Sequence, residues 1–170
     1  MPDTFVKIAS VTVGSGGAAS IDFTSIPSTY TDLCLKISSR TNRAAEVDDI
    51  IQIKPNNSSS SLTARWLRGD GSSAASSNNT TWSGGYTTAA AATASSFNNF
   101  EAYIPNYAGA NNKSWSVDTV VENNATTGFA QLNAVLWSST TAISSLILIP
   151  FYGSSFNQYS TATLYGIKSS

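Results

Sequence analysis

Apolar and polar residues alternate with a period of two along most of this 170-residue chain. Ala9, Val11 and Val13 alternate with Ser10 and Thr12, Ile21 and Phe23 flank Asp22, and Leu33, Leu35 and Ile37 alternate with Cys34, Lys36 and Ser38. A strand sends successive side chains to opposite faces, so this pattern marks strands with one buried face. Residues 5–13 and 19–24, joined by Gly14-Ser15-Gly16-Gly17, read as a hairpin. Pro27 breaks the pattern before a strand over 31–39. Strands over 49–53 and 62–67 follow around a polar loop at 55–60, and Asp70-Gly71 ends the second with turn chemistry.

The second half predicts strands over 100–104, 113–121, 127–137, 143–149 and 159–167. Ala130, Leu132, Ala134 and Leu136 occupy one side of 127–137, and 143–149 is nearly continuous apolar, as expected of a strand buried on both faces. Roughly ten strands at this spacing, with no helical stripe of useful length, predict an all-β, jelly-roll-like antiparallel β-sandwich. The length suits one domain over 1–170. Residues 71–96 stand apart: Ser, Ala, Asn, Thr and Gly, broken by Trp82 and Tyr86, predict a polar loop or insertion.

Composition narrows the function. Only 11% of residues are charged and the net charge is −1, so the surface is coated with neutral hydroxyls and amides. No Lys/Arg-rich run exists, and counterion release needs clustered cations, so nucleic-acid binding is not expected. Near-neutral charge weakens self-repulsion and favours association. The start lacks the basic and apolar regions of a signal peptide, and the longest apolar run, Leu146 to Phe151, is too short for a membrane helix. A soluble protein made in a cytoplasm, with no membrane insertion, is expected. The Asn-x-Ser/Thr sequons at Asn57 and Asn124 then follow from composition alone.

The chain has one cysteine, Cys34, and no histidine. An intrachain disulfide is impossible, zinc and most transition metals lack ligands, and His-dependent triads are ruled out within one chain. Cys34 reads as a small side chain on a strand face. A two-carboxylate glycosidase would have to draw on Glu46, Asp48, Asp49, Asp70, Glu101, Asp118 and Glu122, none of which forms a convincing pair. Asp48 and Asp49 lie where a loop leads into a strand, without the spaced ligands of a calcium loop. No enzyme, metal or cofactor is expected. Trp66, Trp115 and Trp137 lie in strands and read as core or interface. Trp82 and Tyr86 lie in the polar segment and are the candidate interface or ligand contacts.

Several segments carry a resemblance. They are the opening run from Ile8 through Gly14-Ser15-Gly16-Gly17 to Ile26-Pro27, leading to Tyr30-Thr31-Asp32-Leu33, and then Tyr103-Ile104-Pro105-Asn106-Tyr107, Glu122-Asn123-Asn124-Ala125-Thr126 and Gln158-Tyr159-Ser160 through Gly166-Ile167. Together the chain resembles small structural proteins of tailed bacteriophages, especially those of aquatic bacteria. The resemblance implies a virion component made in the host bacterial cytoplasm: a capsid decoration (cement) protein, or a short head or tail appendage subunit. Expected partners are further copies, as a homotrimer by analogy with symmetric assemblies, and virion proteins such as the major capsid protein or tail proteins. The alternative is a tail-fibre module that binds host surface glycans.

Overall fold

A computed structural model describes residues 4–123 and 128–168. The sequon at Asn124, the first residue of the strand expected over 127–137 and part of the 122–126 motif lie outside the described residues. Among those described, twelve strands form and no helix. They are β1 (Phe5–Thr12), β2 (Ile21–Phe23), β3 (Asp32–Ser38), β4 (Asp48–Pro55), β5 (Leu62–Gly69), β6 (Ala74–Asn79), β7 (Tyr86–Thr88), β8 (Asn99–Pro105), β9 (Lys113–Val121), β10 (Phe129–Trp137), β11 (Leu146–Pro150) and β12 (Thr161–Ile167). Eight make one sheet in the order β1-β12-β3-β8-β9-β10-β5-β6, and four make the other in the order β2-β11-β4-β7. Every strand pairing is antiparallel. The expected all-β sandwich is therefore present, with an eight-plus-four division of strands; this order does not itself establish the paired Greek keys of a jelly roll.

Period-two patterning explains the large sheet. β9 buries Trp115, Val117 and Val121 and exposes Ser114, Ser116 and Asp118 between them. β8 buries Phe100, Ala102 and Ile104, which meet Ile37, Leu35 and Leu33 of β3 in register. These apolar cross-strand pairs tie β8 to β3 on the core side. On the other side of β3, Ala162, Leu164 and Gly166 of β12 continue the row. A Cβ on Gly166 would lie 2.3 Å from the Tyr30 ring, so only glycine lets that ring cross the strand. The small sheet adds Ile21, Phe23, Ile51, Ile53, Leu146 and Leu148 to the same core.

Three expectations are corrected. Residues 5–13 and 19–24 are not a hairpin: β1 pairs with β12, whereas β2 pairs with β11 in the other sheet. The Gly14–Gly17 turn instead carries the chain between the sheets, because each strand has an apolar face and both must reach one core. Residues 143–149 are not buried on both faces: in β11, Leu146, Leu148 and Pro150 are buried but Ile147 and Ile149 are half-buried.

The third correction concerns 71–96, which forms two strands. β6 pairs with β5 at the sheet edge, where its Ser and Asn side chains make a poor template for further strand addition. β7 pairs with β4, and residues 83–89 are all buried. This polar stretch runs through the interior as a seam. Gly84 and Gly85 permit it: a Cβ on Gly84 would lie 2.2 Å from the Ile51 carbonyl oxygen, and one on Gly85 2.7 Å from Thr119 Cγ2.

Candidate functional site: an apolar outer face beside a polar seam

A buried backbone must have its hydrogen bonds supplied, and the seam explains most of the buried polar residues. Ile51 N–H donates to the Gly85 carbonyl (2.9 Å), and Trp115 Nε1 to the Ser83 carbonyl (3.1 Å). Thr119 Oγ1 (2.6 Å) and Asn98 Nδ2 (2.9 Å) both donate to the Tyr86 carbonyl. Ser83 Oγ accepts from Ile53 N–H and donates to the Ile53 carbonyl, acting as a rung of the small sheet. Thr87 Oγ1 donates to the Ser39 carbonyl.

The inward face of β10 carries Val135 and Trp137 into the core and sets two amides beside this seam. Gln131 and Asn133 point inward, 3% and 5% exposed, and Gln131 Nε2 donates to Asn133 Oδ1 (2.8 Å). Their other amide atoms, Gln131 Oε1 and Asn133 Nδ2, have no partner among the described residues and lie beside Gly84, Gly85, Trp82 and Tyr86. Ala130, Leu132, Ala134 and Leu136 therefore face out, the reverse of the buried side that their alternation suggests. One residue of phase inverts every side chain of a strand.

The result is an apolar outer row along β10, extended by Leu67 and Val120 of its neighbours and flanked by polar residues. Leu132 lies between Leu67 of β5 and Asp118 of β9, and these two leucines are 57% and 55% exposed. Val120 and Leu136 are also exposed. Ala130 sits between Gly69 and Val120, and Ala134 between Arg65 and Ser116. The small residues leave a hollow of about 310 Å3 over Ala134 and one of about 240 Å3 over Ala130 and Gly69. A leucine ridge thus stands between two hollows. Its flanks carry opposite charges, Arg65 on one side and Asp118 diagonally across. Asp118 also lies opposite Glu101, whose carboxylate already holds Lys36 at 2.7 Å. Neither Arg65 nor Asp118 has an ion-pair partner among the described residues.

The sequence candidates Trp82 and Tyr86 come together in a smaller aromatic cluster at the end of the seam, with Ile50, Val121, Phe129 and Phe151. Tyr86 is buried, its ring 5.1 Å from that of Phe129, and Arg68 Nη1 donates to its hydroxyl (2.8 Å). Burial raises the Tyr86 pKa, against the pull of Arg68. Trp82 is half-buried and meets the edge of Phe151. Both rings therefore contact their own domain. Trp115 and Trp137 are core; Trp66 is half-buried, with the Arg68 guanidinium 5.4 Å over its ring.

The carboxylates serve local structure. Asp49 is fully buried, and its oxygens accept from Thr41 Oγ1 and from Ile50, Tyr152 and Gly153 N–H, clamping the end of β11 to β4. Burial raises the Asp48 pKa, and Arg43 opposes this. Asp70 accepts from Ser72 and Ser73 in the β5–β6 turn, which lowers its pKa. No group of three or more Cys, Asp or Glu side chains suited to a metal ion occurs among the described residues. The Cys34 thiol is buried, and desolvation, then the nearby Glu101 carboxylate, pushes its pKa up to about 11. No family model and no curated protein matches the chain.

The sequence reading missed the outer face. The signal was present: of the alternating residues in 129–137, those at odd positions include Gln131 and Asn133, but also Val135 and Trp137. The odd set faces inward, with Val135 and Trp137 in the core.

Proposed function

We propose that this chain is a structural subunit of a tailed-phage particle, a capsid decoration protein or short head or tail appendage, that works by packing its outer face against another copy of itself. The observation that carries this reading is the ridge of exposed Leu67 and Leu132 on the outer face of the large sheet. Exposed apolar area of this kind marks interaction sites in proteins that are otherwise polar at the surface.

A second copy is the fitting occupant for two reasons. The ridge and its flanking hollows are self-complementary in shape. The lone Arg65 cation and lone Asp118 anion are self-complementary in charge, since a twofold axis between them brings each against its counterpart. Paired in this way, the subunits hold neighbouring shell or tail proteins together; the homotrimer that the resemblance implies is heterologous and needs a second contact besides this twofold one. No bond is made or broken in this role, so it needs no catalytic group or cofactor.

The test is immunogold labelling of particles purified from a lysate of the encoding phage, using antibody to the purified chain. Labelled heads or tails are expected. Unlabelled particles refute the virion assignment.

A further inference from the structure

We propose that a cleft built by three loops at one end of the sandwich binds a neutral saccharide. The loops are the 14–17 turn after β1, residues 95–97 leading into β8, and residues 155–159 between β11 and β12. The cleft measures about 440 Å3, within the roughly 300–1,000 Å3 of small-molecule sites. It lies apart from the apolar outer face and does not depend on assembly through it.

Tyr159 presents the most exposed aromatic ring of the described chain, at 68%. Its φ of 69° lies in the left-handed region, uncommon for a bulky side chain. One other non-glycine cleft residue shares this conformation, Ser95 (62°), while Gly17 (72°) takes it without strain. Such backbone persists only where surrounding structure fixes it, and it concentrates at binding sites. Here the fixing bonds are visible. Tyr159 N–H donates to the Val13 carbonyl (2.9 Å), Asn157 N–H to the Arg40 carbonyl (2.8 Å) and Ser160 N–H to the Asn157 carbonyl (3.1 Å). The ring is therefore held out into solvent by a rigid base.

The lining defines the ligand chemistry. Phe97 adds a second, half-buried ring. The Asn157 and Gln158 side-chain amides are half-buried and make no hydrogen bond with the described residues, leaving donors and acceptors together. Ser15, Ser95 and Ser155 add hydroxyls. Aromatic faces that stack on a pyranose, beside amides and hydroxyls that pair with its hydroxyl groups, suit an uncharged sugar.

Arg40 is the one charged residue in the lining, and its guanidinium is already engaged. Nη1 donates to the Thr93 and Ser96 carbonyls and Nη2 to those of Ala90 and Ala92. It braces the loop that carries Ser95 and Phe97, and with its Nη1 and Nη2 protons turned to these carbonyls it offers the cleft no directed Nη fork, although its charge has no ion-pair partner among the described residues. No acidic residue lines the cleft.

The test is amide chemical-shift mapping on the isotopically labelled full chain. It is titrated with trisaccharides of glucose, galactose, mannose and N-acetylglucosamine, and with glucose 6-phosphate and glucuronic acid as charged controls. At least one neutral sugar should shift the amides of Gly17, Ser95, Gln158 and Tyr159 with a Kd of about 1 mM. Tyr159→Gly removes the ring and accepts the backbone angle without strain, so it should keep or raise Tm while weakening binding at least tenfold; Tyr159→Phe should bind. Gln158→Ala should weaken binding severalfold with the fold intact. Leu132→Lys, altered only on the outer face, should bind like the unaltered chain. Lack of any cleft shift with all neutral sugars at about 10 mM, ten times that Kd, overturns the proposal. So does undiminished binding by both Tyr159→Gly and Gln158→Ala, or binding confined to the charged sugars.

Discussion

Leu132→Lys separates folding from assembly. Complete burial of a leucine side chain stabilises by about 1.5–3 kcal/mol. Leu132 is 57% exposed in the subunit, so covering it in an interface contributes roughly 1–2 kcal/mol. Each interface that buries one Leu132 should lose roughly five- to thirtyfold in affinity from this alone. Desolvating the new ammonium beside Arg65 of a neighbouring copy weakens it further. Within the subunit the same change costs little. The new Lys lies directly opposite Asp118 across the strands, a pairing worth roughly 0.2–1 kcal/mol, which offsets the lower strand preference of Lys. Tm should therefore move by no more than about 3 °C. Sedimentation velocity across a hundredfold concentration range, with thermal melting of the same samples, reads both quantities. Association as strong as in the unaltered chain refutes the outer face as the interface. A Tm loss beyond about 8 °C shows that Leu132 supports the fold itself.

Three further predictions concern the scaffold. Gly166→Ala forces a Cβ into the Tyr30 ring and should cost about 1–3 kcal/mol in urea unfolding, with part recovered in the Gly166→Ala, Tyr30→Ala double variant. Arg40→Lys cannot span the four carbonyls that the guanidinium holds and should lower stability by about 2–3 kcal/mol, read by the same unfolding assay. The Cys34 pKa is raised in the fold to about 11, from an ordinary 9.0, so the folded state holds this proton more tightly than the unfolded state. Its contribution to stability is complete below pH 9 and is lost as pH rises towards 11. Cys34→Ala should flatten the fall in Tm over that interval, and the native thiol should resist a disulfide reagent at pH 8.

Much of the fold was legible in the chain. β3, β8 and β9 fall where alternation put them, because each has one predominantly apolar face and water enforces that phase. The hairpin misreading has a simple cause. A Gly-rich turn between two alternating segments specifies that the chain turns, not whether it returns to the same sheet. The 71–96 segment was misread because its interior residues are Ser, Gly and Thr. They are buried by hydrogen bonds with Ser39 after β3, Asn98 before β8, and Trp115 and Thr119 of β9, three separate stretches of chain.

The candidate sites were less legible. Trp82 and Tyr86 attracted notice as lone rings in a polar run, yet both pack into their own domain. Tyr159 sat inside a strand expected over 159–167, whereas the structure starts β12 at Thr161 and leaves Tyr159 in a left-handed turn. The sequence by itself determined an all-β chain, the position of most strands, and the lack of histidine chemistry, because these follow from local period and residue inventory. Tertiary structure alone decided which face of β10 meets water. The choice between Leu132 and Asn133 is made by the phase that carries Val135 and Trp137 of the same strand into the core, because a strand cannot turn one side chain over without turning all of them.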